Sequence, residues 1–296
     1  MTTGMKAKGP LAGLALAAAG AAALLLAFSP AEVGAASSLD RPALVGEARR
    51  GSVTVELAAA ISDVPIAGPA GRPIVLIDPG HGGRDPGASG VSGTVREKAL
   101  TLALGRELRD LLVGRGRVRV ALTREDDRTL SLEQRAAVAR RLGASLFLSL
   151  HMDAAPNAHA RGASVYSLAD VASDADAARF ALSENQAGGV AINERDGTVR
   201  AILSDLALRE QMDISAGLAE RVIRKASGRV MLRPNPHRHA AFHVLRRAEV
   251  PAVLFEAGYI SNADDELLLS SPDYRAKLAL ALAQAIEADV AARSRR

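Results

Sequence analysis

The sequence predicts an α/β domain with a mostly parallel, mixed sheet flanked by helices. Two observations carry this. From about residue 72 onward, short apolar runs rich in β-branched residues alternate with longer stretches of helical periodicity. Three of the runs, Ile74–Ile77, Leu146–Leu150 and Ala252–Phe255, end abruptly in an Asp-Pro-Gly turn, a histidine and a glutamate, as strands do at a sheet edge.

The elements follow in order. Strands are expected at Pro73–Asp78, Arg117–Thr123, Ser145–Leu150, Gly162–Ser167 and Ala252–Glu256, with a short piece near His243–Leu245. Leu100, Leu104, Leu108 and Leu111 recur on one helical face. A helix over Leu132–Leu142 opens with Ser131 and Gln134 in capping-box spacing. The last helix begins at Ser271-Pro272, with Ser at the cap and Pro at the first position, and keeps Leu278, Leu282, Ile286 and Val290 together. Asp170, Asp174 and Asp176 open a helix running through Asn185. Gly188-Gly189 breaks it, and Ala201–Leu208 suggests a second.

Residues 1–36 read as a secretory signal peptide. Lys6 and Lys8 precede an apolar stretch, Leu11–Phe28, and small residues follow at Val33–Ala36. An exported, periplasmic protein without a stable membrane span after cleavage is expected. Removing this segment takes away two lysines and one glutamate, so the formal charge falls from +4 to +3. That excess is too small for nucleic-acid binding, and aromatics at 3% supply no stacking platform. The absence of cysteine excludes disulfides, thiolate ligands and cysteine nucleophiles. Residues 37–71 read as an Ala-, Pro- and Gly-rich tether, with one alternating piece at Ser52–Leu57 that could add a strand.

The chemistry lies where strands end. Ile74–Gly90 reads IVLIDPGHGGRDPGASG, placing His81 on a tight loop after a buried strand. His151 directly follows one strand, and Glu256 directly follows another. Glu97 precedes the Leu100 helix, where the positive end of the dipole favours a carboxylate. Two imidazoles and one carboxylate make a three-ligand zinc set with an open fourth position. The remaining glutamate can serve as acid/base. Order along the chain leaves open which of Glu97 and Glu256 has which role.

Four stretches, IDPGHGG at 77–83, REK at 96–98, SLHMD at 149–153 and FEAGYISN at 255–262, resemble the zinc-dependent N-acetylmuramoyl-L-alanine amidases of bacterial cell walls. The type is that used in daughter-cell separation. The resemblance covers about Arg72 to Ala292 and implies a catalytic domain over 72–296 that hydrolyses the amide between N-acetylmuramic acid and L-alanine in peptidoglycan. It implies Zn²⁺ ligands at His81, Glu97 and His151 and a catalytic Glu256. It also implies that the extra length at 170–213 is a helical insertion covering the cleft until an activator protein displaces it, with Glu184 reaching the metal. His237 and Arg238, in PHRHAAFH, are candidates for substrate carboxylates. Two alternatives stand beside this: a zinc peptidase cutting within stem peptides, and a non-catalytic wall-binding regulator.

Overall fold

The computed structural model describes residues 64–187 and 199–295. The expected signal peptide, the Ser52–Leu57 strand and the Gly188-Gly189 break lie outside the described residues. Six strands form one sheet: β1 (Ile74–Pro79), β2 (Arg119–Leu122), β3 (Leu146–Asp153), β4 (Ala163–Leu168), β5 (Leu232–Ala240) and β6 (Ala252–Tyr259), in spatial order β2-β1-β3-β6-β4-β5. All neighbours pair in parallel except β4 with β6. The mixed sheet is therefore parallel apart from one junction.

Among the described residues seven helices flank it: α1 (Glu97–Arg115), α2 (Leu132–Leu142), α3 (Ala175–Ala187), α4 (Val199–Ala226), α5 (His243–Ala248), α6 (Ala263–Ser270) and α7 (Pro272–Arg293). β1, β3 and β6 are buried over almost their whole length because helices cover both faces. Alternate strand residues separate two apolar layers. Val75, Ile77, Leu146 and Leu148 pack with Leu100, Leu104, Leu108 and Leu112 of α1 and with Leu278, Leu282, Ile286 and Val290 of α7. Leu76, Phe147 and Leu254 pack on the other side with Val138 and Ala139 of α2 and with Val244 and Leu245 of α5.

The α2 capping box forms as expected: Ser131 Oγ accepts from Gln134 N at 3.2 Å, and Gln134 Oε1 accepts from Ser131 N at 2.8 Å. Pro272 occupies the start of α7. The expected strand near His243–Leu245 is a correction, since these residues begin α5. Val244, Leu245 and Ala248 bury one helical side, and three apolar residues alone do not separate the two periods. β5 was not expected; it lies at the sheet edge, where Pro234 and Pro236 need not donate to a neighbour. The helix at Ala201–Leu208 is part of the 28-residue α4. The acidic helix starts later than Asp170: Asp174 Oδ1 accepts from Ala177 N at 2.9 Å and so caps α3. Before β1, Ala67 bridges Val120 in antiparallel fashion. Among the described residues no helix is long and apolar enough to cross a membrane.

Candidate metal centre

β1, β3 and β6 run parallel, so their carboxyl ends share one edge. His151 and Glu256 are direct cross-strand partners there. His81 sits just beyond β1 with φ +60°, a left-handed backbone that costs a non-glycine residue energy and occurs where function requires it. Two buried arginines hold that turn. Arg124 donates to the carbonyls of Pro79 and Gly80, both at 2.9 Å. Arg135 donates to Pro79 O at 2.9 Å and to His81 O at 2.7 Å. Arg135 is itself paired to Asp78 at 2.7 Å, both buried. Gly80 must be glycine, since a Cβ would stand 2.5 Å from the His151 ring.

Glu97, the first residue of α1, reaches across the edge and is buried. Its Oε2 accepts from Ala88 N at 2.8 Å and its Oε1 from Met152 N at 2.9 Å. Oε1 then lies 3.0 Å from His81 Nε2 and 3.2 Å from His151 Nδ1. One ligand atom from each of the three residues falls within 4.8 Å of the others. A tetrahedral zinc with bonds of ~2.0–2.2 Å spaces its ligands roughly 3.3–3.6 Å apart, so the donor set fits. His81 Nε2 is buried with no hydrogen-bond partner, although Glu97 is near, which is how a lone pair aimed at a shared ion is left. Asp85 Oδ2 lies 2.8 Å from His81 Nδ1, fixing the ring orientation and leaving Nε2 available to a metal.

The electrostatics favour a cation. Burial opposes charge on His81, but Glu97 and Asp85 outweigh it and push the imidazole up to about 11. Burial likewise works against ionised Glu97, and the two histidines overcome it, holding the carboxyl well below its usual range.

Glu256 differs from Glu97. It is fully buried, and neither carboxylate oxygen has a hydrogen-bond partner. Burial first, then Asp153 and Glu97, push its pKa well above the usual carboxylate range. A buried acid with free oxygens beside a metal set is disposed to take and return protons.

Glu184 of α3 also arrives here. Its Oε2 lies 3.5 Å from His151 Nδ1 and 4.0 Å from His81 Nε2. α3 is anchored at both ends: Asp174 pairs with Arg238, and Asn185 Nδ2 donates to Ala241 O at 2.8 Å. Phe180 packs between Tyr166 and Phe242, with ring centroids 5.3 and 5.5 Å away. Outside the metal set lies a cleft of about 750 Å³, whose wall includes His81, Glu97, Asp153, Glu184, Arg233 and Tyr259.

His237 and Arg238 are absent from that wall. His237 Nε2 lies 3.0 Å from Ser167 Oγ. Arg238 is buried, donates to the Tyr166 hydroxyl at 2.8 Å and pairs with Asp174. Here the structure departs from the sequence reading, because β5 turns Arg238 into the packing beneath α3. Sequence reasoning missed Asp85, Arg124 and Arg135. The spacing of His81 and Asp85 by four residues was the one local signal available.

Residues 75–288 match the model of the Amidase_3 family, N-acetylmuramoyl-L-alanine amidase. The chain belongs to this family. It is 36% identical over 220 residues to the N-acetylmuramoyl-L-alanine amidase AmiA of Escherichia coli, covering 73% of this chain and 75% of that protein. It is 33% identical over 243 residues to AmiC of Neisseria meningitidis, covering 80% of this chain and 58% of that protein. Among solved structures it resembles the catalytic domain of CwlV, an N-acetylmuramoyl-L-alanine amidase from Bacillus (Paenibacillus) polymyxa, with a TM-score of 0.53 and 27% identity over 72% of this chain and 96% of that one. The four stretches that carried the resemblance all lie within the matched region.

Proposed function

We propose that this amidase uses Zn²⁺, held by His81, Glu97 and His151, to hydrolyse the amide between N-acetylmuramic acid and L-alanine in peptidoglycan. The observation that carries the reading is the convergence of three buried ligand atoms beside a fourth, unpartnered carboxyl on the neighbouring strand. Bound zinc supplies Lewis-acid polarisation of the scissile carbonyl and makes a coordinated water easier to deprotonate.

The chain's own residues do the rest. Glu256 accepts a proton from the attacking water and returns it to the L-alanine nitrogen as that amine leaves. Its burial keeps the transferred proton away from bulk solvent. Asp85 keeps His81 oriented, and the backbone N–H groups of Ala88 and Met152 hold Glu97 in place. An exported, periplasmic protein acting in daughter-cell separation agrees with the signal-like Leu11–Phe28 segment and with the AmiA likeness.

The 170–213 insertion acts as a lid, with Glu184 standing over the metal ligands and an activator protein lifting α3. Support comes from the approach of Glu184 to both histidines and from the anchoring of α3 at its two ends.

Digestion of purified peptidoglycan followed by mass spectrometry tests the reaction. Release of intact stem peptides with a free L-alanine amine supports the amidase. A new amine on any other residue supports the stem-peptide peptidase, and sacculi that are bound but uncut support the wall-binding regulator.

A further inference from the structure

Arg233 carries an inference that rests on the amidase reading and extends it to the substrate's peptide. β4 runs antiparallel to β6, and β5 runs parallel to β4. The first residues of β5 therefore reach the same edge as His151 and Glu256. Arg233, the second residue of β5, is half-buried and lines the cleft. Its guanidinium lies 5.7 Å from the Tyr259 ring centroid, and Nη1 donates to the Tyr259 hydroxyl. Tyr259 ends β6 and pairs across the sheet with Asp153, two residues beyond His151. The side chain is thus drawn inward from the edge strand toward the metal centre and held there.

Charge makes the placement informative. Carboxylates dominate the cleft wall, with Asp85, Glu97, Asp153, Asp176 and Glu184 all contributing. The wall's other cation, Arg179, rides on α3 and pairs with Asp176 at 2.7 Å. Among the described residues no carboxylate lies within ion-pair distance of Arg233: Nη1 donates to the Tyr259 hydroxyl, which also bonds Asp153, and the charge is felt by Tyr166. A guanidinium offers five donors in a planar fork that matches a carboxylate, and a fork already fixed by an aromatic residue loses little freedom on binding one.

We propose that Arg233 binds a free carboxylate of the stem peptide, the α-carboxylate of the residue that follows L-alanine. That group is free when the second residue is a glutamate joined to the next through its side chain. Strands lie ~4.8 Å apart, so a guanidinium drawn to β6 stands roughly 5–10 Å from the end of β3. Successive residues are ~3.8 Å apart, so a carboxylate one residue beyond the scissile nitrogen falls in that range.

The test uses the full chain loaded with zinc and two soluble muramoyl peptides. They differ only in whether the second residue carries a free α-carboxylate or its carboxamide. The native protein has a KM roughly 10- to 100-fold lower for the acid, with kcat unchanged, as expected for a charge-assisted contact made before and during reaction. Arg233→Gln raises KM for the acid to the level of the amide, and Arg233→Lys recovers part of the difference. Equal KM for acid and amide in the native protein would overturn the assignment. So would an Arg233→Gln variant impaired by the same factor on both, because that is a structural effect transmitted through Tyr259. Cleavage of neither substrate by the Glu184→Ala variant, in which the lid's contact with the ligand set is removed, would overturn the amidase reading, and this inference with it.

Discussion

Oε2 of Glu184 lies 3.5 Å from Nδ1 of His151, so a carboxylate from the covering helix is in contact with the candidate ligand set. Were zinc held by His81, Glu97 and His151, this carboxylate would stand where a three-ligand site admits water or substrate. Burial outweighs the pull of the two histidines and leaves the Glu184 carboxyl raised. Glu184→Ala should therefore raise the basal rate on peptidoglycan about tenfold, equivalent to ~1.4 kcal/mol of ligand competition removed. Initial rates of dye release from labelled sacculi check this, and an unchanged or lower rate would remove the lid from the account.

Glu256→Gln, which is isosteric, should leave the ligand set undisturbed. The rate should fall by a factor of about 10²–10⁴, the usual worth of a positioned acid/base, while bound zinc per chain stays the same. Metal content measured alongside turnover separates this from loss of the ion.

Asp85 touches no ion directly. Its carboxylate holds Nδ1 of His81 at 2.8 Å, and its side chain is 37% exposed. Asp85→Asn should weaken zinc affinity roughly 10- to 100-fold, the typical effect of removing such a carboxylate, with little change in thermal stability. Competition with a chromophoric chelator reads the affinity.

Asp78 gives a pH dependence. Burial would raise its pKa, but the Arg135 guanidinium and the Thr123 hydroxyl outweigh burial and leave it lowered. The sign follows: its stabilisation is complete above the unfolded value of ~3.9 and is lost as pH falls through the lower folded value. Asp78→Asn leaves Arg135 buried without a counter-charge and should cost about 3–5 kcal/mol at neutral pH. Denaturant unfolding from pH 6 down to pH 2 should show the native protein losing its advantage over the variant in the acid range. A constant difference would contradict the assignment.

The sequence made some of this legible and hid the rest for physical reasons. His81, His151 and Glu256 each follow a short apolar run, so local pattern alone places them at one edge, and parallel pairing does bring them there. The Ser131–Gln134 capping box and the Leu278–Val290 stripe announce α2 and α7 because caps and periodicity are local properties. β5 was hidden because an edge strand tolerates Pro234 and Pro236. The pairing of Arg238 is invisible in the sequence because its partner Asp174 lies 64 residues away. Arg135, in the first turn of an ordinary-looking helix, gives no sign in the sequence that it fixes the carbonyl of His81. Such roles depend on tertiary approach, which periodicity does not encode.

The most direct test of the metal centre is a chelation cycle on the purified chain. Stem-peptide release is measured before chelation, after removal of the metal, and after adding back zinc to one equivalent. Activity that disappears with the metal and returns in proportion to zinc bound, but not in a His81→Ala, His151→Ala variant, is the predicted result. Release of L-alanine-terminated stem peptides that persists after complete metal removal would contradict the account.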